Sequence, residues 1–226
     1  MAYPTLRDRA TSVDTSVSGG VVDIDLPVLE TGDLLLAHTG IRVAFGSGVT
    51  WPTGWTEIVN EERTPQSWIF SVAVKMVDGT EGYTGDGTDT IEISVGDTAD
   101  LVGATSMCDS YSDAKYLGVT SYGSVVGVDT LDLPSLDVGT SAKIRWVLVA
   151  ATQGYVTQVA AWPVSYSLSQ LHYKASPCSV LSSARELEAS STNPGFYYFD
   201  EGDYMSGATV AIGTVAKGGG FGAFGL

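Results

Sequence analysis

Val21-Val22-Asp23-Ile24-Asp25-Leu26-Pro27 decides the reading of this chain. Its apolar and acidic residues alternate, the period of a strand with one face buried and one face wet. Its last three residues return 107 positions later as Asp132-Leu133-Pro134. Gly32 returns as Gly139 at the same spacing. Trp51-Pro52, followed by Trp55, returns as Trp162-Pro163 followed by Tyr166, and Gly103-Ala104-Thr105 returns as Gly207-Ala208-Thr209. Ordered self-similarity predicts two copies of one unit. The repeated residues are apolar, glycine or aromatic, so the repeated object is a packing unit and not a catalytic constellation.

Working outward, strand signals dominate. Leu34-Leu35-Leu36-Ala37 is a continuous apolar run, expected of a strand buried on both faces. Trp68, Phe70, Val72, Val74 and Met76 fall on one face of a strand over 68–77. Further strands are predicted over 21–26, 55–61, 89–95 and 102–111, then over 130–133, 143–152, 164–173, 179–189, 195–200 and 208–216. Ser183 to Ser190 also reads as a short helix, through Ala184, Glu186, Leu187 and Ala189, but the matching segment of the first copy alternates and strand is preferred. Turn clusters such as Trp51-Pro52-Thr53-Gly54, Thr84-Gly85-Asp86-Gly87 and Asn193-Pro194-Gly195 separate the runs. Short strands at this spacing, with no helical periodicity between them, predict an all-β protein of two similar antiparallel β-sandwich, jelly-roll-like units from an internal duplication. The expected divisions are an N-terminal arm (1–12), unit 1 (13–118), unit 2 (119–217) and a Gly/Phe-rich tail (218–226), with the boundary near 117–124.

The 226 residues include 44% hydrophobic but only 16% charged residues, with 27 glycines. That is enough for a sizeable core beneath neutral, hydroxyl-rich outer faces. The net charge of −15 argues against a nucleic-acid partner, which needs clustered Lys and Arg. The acids read as spread along the chain, a solvated surface or one drawn to basic partners or divalent cations. Cys108 and Cys178 occupy unequal places in the two copies and are expected as buried free thiols of a protein made in a reducing cytoplasm. The first residues lack an apolar h-region, so no signal peptide is expected. The longest uncharged stretch, 146–171, holds Gln153, Gly154, Gln158 and Pro163, so no membrane span is expected.

Chemistry is sparse. His38 and His172 are the two histidines, with no Gly-x-Ser-x-Gly elbow to serve, and zinc-ligand spacings are absent. Ser112-Asp113-Ala114-Lys115 matches Ser-x-x-Lys without its companion motifs. Asp78, Glu81, Asp86 and Asp89, and separately Asp200, Glu201 and Asp203, are oxygen-rich enough for calcium but do not fit its loop pattern, and they read as turn formers. No catalytic residue, metal or cofactor is expected. The five tryptophans read mainly as core, leaving Tyr197-Tyr198-Phe199 less explained. Arg7 and Arg9 in the arm, Tyr197 and Tyr198, and Phe221, Phe224 and Leu226 in the tail are the candidate partner contacts.

Gly32-Asp33-Leu34-Leu35-Leu36-Ala37, then Trp51-Pro52-Thr53-Gly54-Trp55-Thr56, then the 68–77 strand and Gly103-Ala104-Thr105, resemble a broad group of tailed-bacteriophage virion proteins, minor tail or capsid decoration proteins of duplicated β-sandwich type. The resemblance implies a non-enzymatic role in the virion. The expected function is a capsid decoration or cement protein that binds the outer surface of the capsid, with the major capsid protein or other virion proteins as partners and self-association on the particle. A tail or receptor-binding component is the alternative, and a carbohydrate-binding module using exposed Trp and Tyr is a third reading.

Overall fold

The computed structural model describes residues 2–14, 20–43, 47–63, 68–96, 101–126, 130–153, 159–173, 178–199 and 204–215. They form sixteen strands and no helix. The first half supplies β1 (Thr5–Asp14), β2 (Val21–Asp25), β3 (Leu34–Val43), β4 (Ser47–Thr50), β5 (Thr56–Arg63), β6 (Trp68–Met76), β7 (Thr90–Gly96) and β8 (Leu101–Ser112). The second supplies β9 (Ala114–Val126), β10 (Thr130–Leu133), β11 (Leu136–Gln153), β12 (Val159–Ala161), β13 (Ser167–Tyr173), β14 (Cys178–Thr192), β15 (Gly195–Phe199) and β16 (Tyr204–Thr214). All pairings between these strands are antiparallel.

Four sheets result. A five-stranded inner sheet, β1-β8-β3-β6-β5, faces a three-stranded outer sheet, β2-β7-β4. The second half repeats this arrangement as β13-β14-β11-β16-β9 and β10-β15-β12. Raising every strand number of the first half by eight reproduces the second. In each half the first strand lies beside the eighth and the third beside the sixth, the interleaving of a jelly roll.

The layers stack as outer, inner, inner, outer, with three apolar cores between them. Val22, Ile24, Ile91 and Ile93 of the first outer sheet pack on Leu35, Ala37, Ile69 and Ala73. Leu131, Leu133 and Tyr197 of the second outer sheet pack on Trp146, Leu148 and Leu181. Between the halves, Leu34, Leu36, Trp68, Phe70, Val72 and Met107 meet Val147, Val149, Ala151, Val180, Val210 and Ile212. Each inner sheet is therefore covered on both faces, which is why Leu34-Leu35-Leu36-Ala37 has no polar alternation. The seam is tight at Gly40, where a Cβ would fall 2.7 Å from the Trp68 ring and 2.8 Å from the Ala151 methyl.

Several expectations change. Residues 5–14 are not an arm: they are the edge strand of the first inner sheet, paired with β8 along their length. The boundary expected near 117–124 falls inside β9, which pairs with β16, and the chain crosses between halves at Asp113 in a left-handed turn (φ 54°). Ser183–Ser190 lies within β14, so the helical alternative is not formed. The Gly-Ala-Thr landmark is a coincidence: Ala104 faces the first outer core, whereas Ala208 faces the seam. The other landmarks correspond. Leu26 and Leu133 fill matching cores, and Gly32 (φ 95°) and Gly139 (φ 72°) turn in the same left-handed sense. Division at Asp113 also shows that the acids are not evenly spread. Residues 1–113 hold 18 of the 26 acidic and 5 of the 11 basic residues, a net of −13 against −2 for the rest.

Candidate functional site

The structure scatters the candidate contacts. Arg7 donates to both carboxylate oxygens of Asp33 (Nε–Oδ2 2.6 Å, Nη2–Oδ1 3.2 Å) and reaches Glu30 at 2.9 Å. Arg9 points into the seam. Its Nε and Nη2 donate to Asp109 Oδ1 and Oδ2 at 2.5 and 2.8 Å, and Nη2 also reaches Ser182 Oγ of the second half at 3.1 Å. Tyr111 donates to the same Asp109 at 2.8 Å. Both arginines are thus committed within the molecule. Tyr197 is fully buried, 2.6 Å from Ser183 Oγ and edge-on to Trp162, so it is a core residue and not a surface contact. Tyr198, on the other face of β15, is exposed. Phe221, Phe224 and Leu226 lie outside the described residues.

The chemistry-bearing residues have structural partners. His38 is buried in the seam. Burial first, then nearby Arg9, holds its pKa down to about 4 against the opposing pull of Asp109 and of its hydrogen bond to the Leu181 backbone. His172 lies in β13, and its side chain is outside the described set. Cys108 and Cys178 are buried free thiols, and burial pushes Cys178 up to about 12. The acidic loop uses its own carboxylates. Asp86 accepts from Thr84 and Thr88 hydroxyls, Asp89 from Gly85 N, and Asp78 from Thr80. Hydrogen bonds from these Thr hydroxyls hold Asp78 and Asp86 below the usual carboxylate range. Among the described residues no group of three His, Cys, Asp or Glu is placed to hold a metal.

The surfaces that differ between the halves are the outer faces of the outer sheets. On the first, Asp23 stands directly opposite Glu92, with Asp25 beside it. Like charges facing across a ladder repel. Asp14, at the end of β1, accepts from Asp23 N, and its carboxyl is raised by burial and by the charges of Asp23 and Asp25. On the second, the strand matching β7 carries Phe196 and Tyr198 where β7 has Thr90 and Glu92. Each is 44% exposed, and their ring centroids lie 6.1 Å apart. They stand opposite Asp132 and Thr130 on one side, with Ala161 opposite Tyr198 on the other. Phe196 escaped sequence reasoning because the repeat signal stops short of β15.

Two concave places lie among the described residues. One, of about 240 Å³, lies under the loop after β6 and is lined by Leu29, Glu30, Thr31, Glu81 and Tyr83. The other, of about 300 Å³, lies at the edge of the second inner sheet where β13 begins. It is lined by Arg145, Ser165, Ser167, Arg185 and Glu186. Comparison of the chain with protein-family models, curated proteins and solved structures gives no match.

Proposed function

We propose that this protein is a non-enzymatic structural component of a phage particle, a decoration protein that binds the outer surface of the capsid and bridges neighbouring virion proteins. The observation that carries the reading is the contrast between the two outer faces. One strand order is presented twice, with Asp23 facing Glu92 at one end of the stack and Phe196 and Tyr198 facing Asp132 and Thr130 at the other. A block with a shared apolar seam and two unlike ends suits bridging better than catalysis. The acidic end retains a like-charge pair that weakens its own sheet, a sacrifice expected where a surface serves a partner. The exposed aromatic pair has the composition of an interface core. The sequence resemblance to duplicated virion proteins points the same way, and we take the matching topologies as the mark of an internal duplication.

The test is whether the chain copurifies with intact particles. A cryo-EM map should place it on the capsid exterior, and Phe196→Ser with Tyr198→Ser should reduce its occupancy. Absence from particles refutes the proposal. Density confined to the tail transfers the role to a tail or receptor-binding component. Binding on a glycan array that is lost with Tyr198→Ser moves the aromatic face to carbohydrate recognition.

A further inference from the structure

Each half has the same corner: Trp51-Pro52-Thr53-Gly54-Trp55 and Trp162-Pro163-Val164-Ser165-Tyr166. Both turns close with the same backbone bond, Trp55 N to Pro52 O at 3.1 Å and Tyr166 N to Pro163 O at 3.2 Å. Each corner rests on a cation in the equivalent strand. Lys75 of β6 lies opposite Leu35, and Arg185 of β14 lies opposite Trp146. A Cβ on Gly54 would fall 2.5 Å from Lys75 Nζ, while Ser165 lines the same groove as Arg185.

What covers the cation differs. In the first half the connection after β6 folds back, and Glu81 Oε1 sits 3.2 Å from Lys75 Nζ, both side chains 8% exposed. Backbone N–H groups of Asp78 and Gly79 hold that carboxylate at 3.1 and 2.9 Å. In the second half β14 and β15 are joined by Asn193-Pro194 alone, so no such loop exists. Arg185 donates to Thr192 Oγ1, and its guanidinium lies 4.9 Å from the Tyr166 ring centroid. Its buried Nε has no hydrogen-bond partner among the described residues. Glu186, the carboxylate in the groove, is engaged by Arg145. The groove is thus lined by two guanidinium groups and one carboxylate, which Arg145 engages.

Ser165 adds a second observation. It holds φ 69° where the first half has Gly54 at φ 87°. A left-handed backbone strains a non-glycine residue, and such strain persists where a side chain is needed. Here it retains a hydroxyl in the groove.

We infer that the Arg145/Arg185 groove is a binding site for a carboxylate side chain supplied by another protein, taking the place that Glu81 fills within the first half. The internal comparison selects the ligand chemistry: the corner cation of this fold is covered by a carboxylate presented on a loop. An arginine fork receives a planar carboxylate through two parallel bonds, which an ammonium cannot. The inference rests on the comparison of the halves and not on the virion reading, so each can fail alone.

The probe is a capped peptide with the sequence of residues 78–82, Asp-Gly-Thr-Glu-Gly, titrated into the full chain and followed by ¹⁵N NMR. The Arg185 Nε–Hε resonance and the Ser165 and Ser167 amides should shift in a saturable way. Replacing Glu by Gln in the peptide should weaken binding about tenfold or more, as should Arg185→Gln in the protein. Arg185→Lys keeps the charge, loses the fork, and should weaken binding in a protein that still melts as the parent does. Equal binding of the Gln peptide, or no shift at any of these resonances, overturns the inference. Inorganic phosphate binding as tightly as the Glu peptide also overturns it, since the site then reads oxyanions in general.

Discussion

Asp109→Asn should be among the most damaging single changes in this protein. Asp109 is 1% exposed in its side chain and holds the guanidinium of Arg9, which is 9% exposed, through two hydrogen bonds. Asparagine preserves shape and one acceptor but removes the carboxylate charge that faces the buried Arg9 guanidinium. Breaking a buried pair from one side costs about 3–5 kcal/mol. Total stability of a domain is only about 5–15 kcal/mol. At about 2–4 °C per kcal/mol for a chain of this size, Tm should fall by about 6–20 °C. Urea unfolding should show a lower midpoint with an unchanged slope. Replacing the whole group should behave differently. Arg9→Met, Asp109→Leu and Tyr111→Phe together remove both charges and the phenol that Asp109 accepts from, and apolar replacement of a buried pair is often neutral or stabilising. The triple variant should therefore recover most of the loss. The reasoning is refuted if Asp109→Asn costs under about 1 kcal/mol, or if the triple variant is no more stable than the single one.

Three further outcomes follow from the same structure. His38 has its pKa lowered from 6.5 to about 4, so between those values the unfolded chain holds a proton that the folded one lacks. Stability should fall by about 1.4 kcal/mol per pH unit as pH drops through this window, about 3 kcal/mol in all. Urea titrations from pH 7 to 4 should show this component vanish in His38→Gln. Ser165→Gly should stabilise by roughly 0.5–1 kcal/mol by relieving left-handed strain, whereas Gly54→Ser should destabilise by about 1–2 kcal/mol, both measurable by thermal melts. Asp23→Asn should stabilise by about 0.2–1 kcal/mol at low salt and less at high salt, because it removes the charge facing Glu92.

The strands that carry the cores were legible because their residues are apolar at period two or throughout. β2, β3, β6, β7 and β14 fall within a few residues of expectation for this reason. β1 was illegible as a strand because its charges have distant partners. Arg7 and Arg9 lie 26 and 100 residues from Asp33 and Asp109, and an isolated Arg-x-Arg looks like a solvated arm. β9 was hidden by Gly118 and Gly123, which resemble linker punctuation. The seam was half legible: the run over 34–37 required cover on both faces, but nothing local names the second inner sheet as that cover. The Arg185 groove had one trace in the sequence, the replacement of Gly54 by Ser165 in the repeated corner. Its meaning depends on the loop that carries Glu81, which the second half lacks.

The halves share their interior and not their ends, and the geometry makes that separation useful. Packed sheets lie about 10 Å apart, so three gaps set the outer faces about 30 Å apart. The Debye length at physiological salt is about 8 Å. Charge at the acidic end, where the half carries −13, is therefore screened from the aromatic end, in the half that carries −2. Each end can change its chemistry without altering the other, while the seam holds the two as one body through Trp68 Nε1 to Ser206 Oγ at 3.3 Å, Thr105 Oγ1 to Cys178 O at 3.0 Å, and the Arg9 contact with Ser182. Two independent domains on a linker would allow the same divergence but would lose the fixed orientation of one face to the other. Buried polar contacts across the seam require one register between the inner sheets, since a one-residue slip would bury them unpaired. The fold thus fixes the direction in which two unlike surfaces point, which is the property a bridging protein needs.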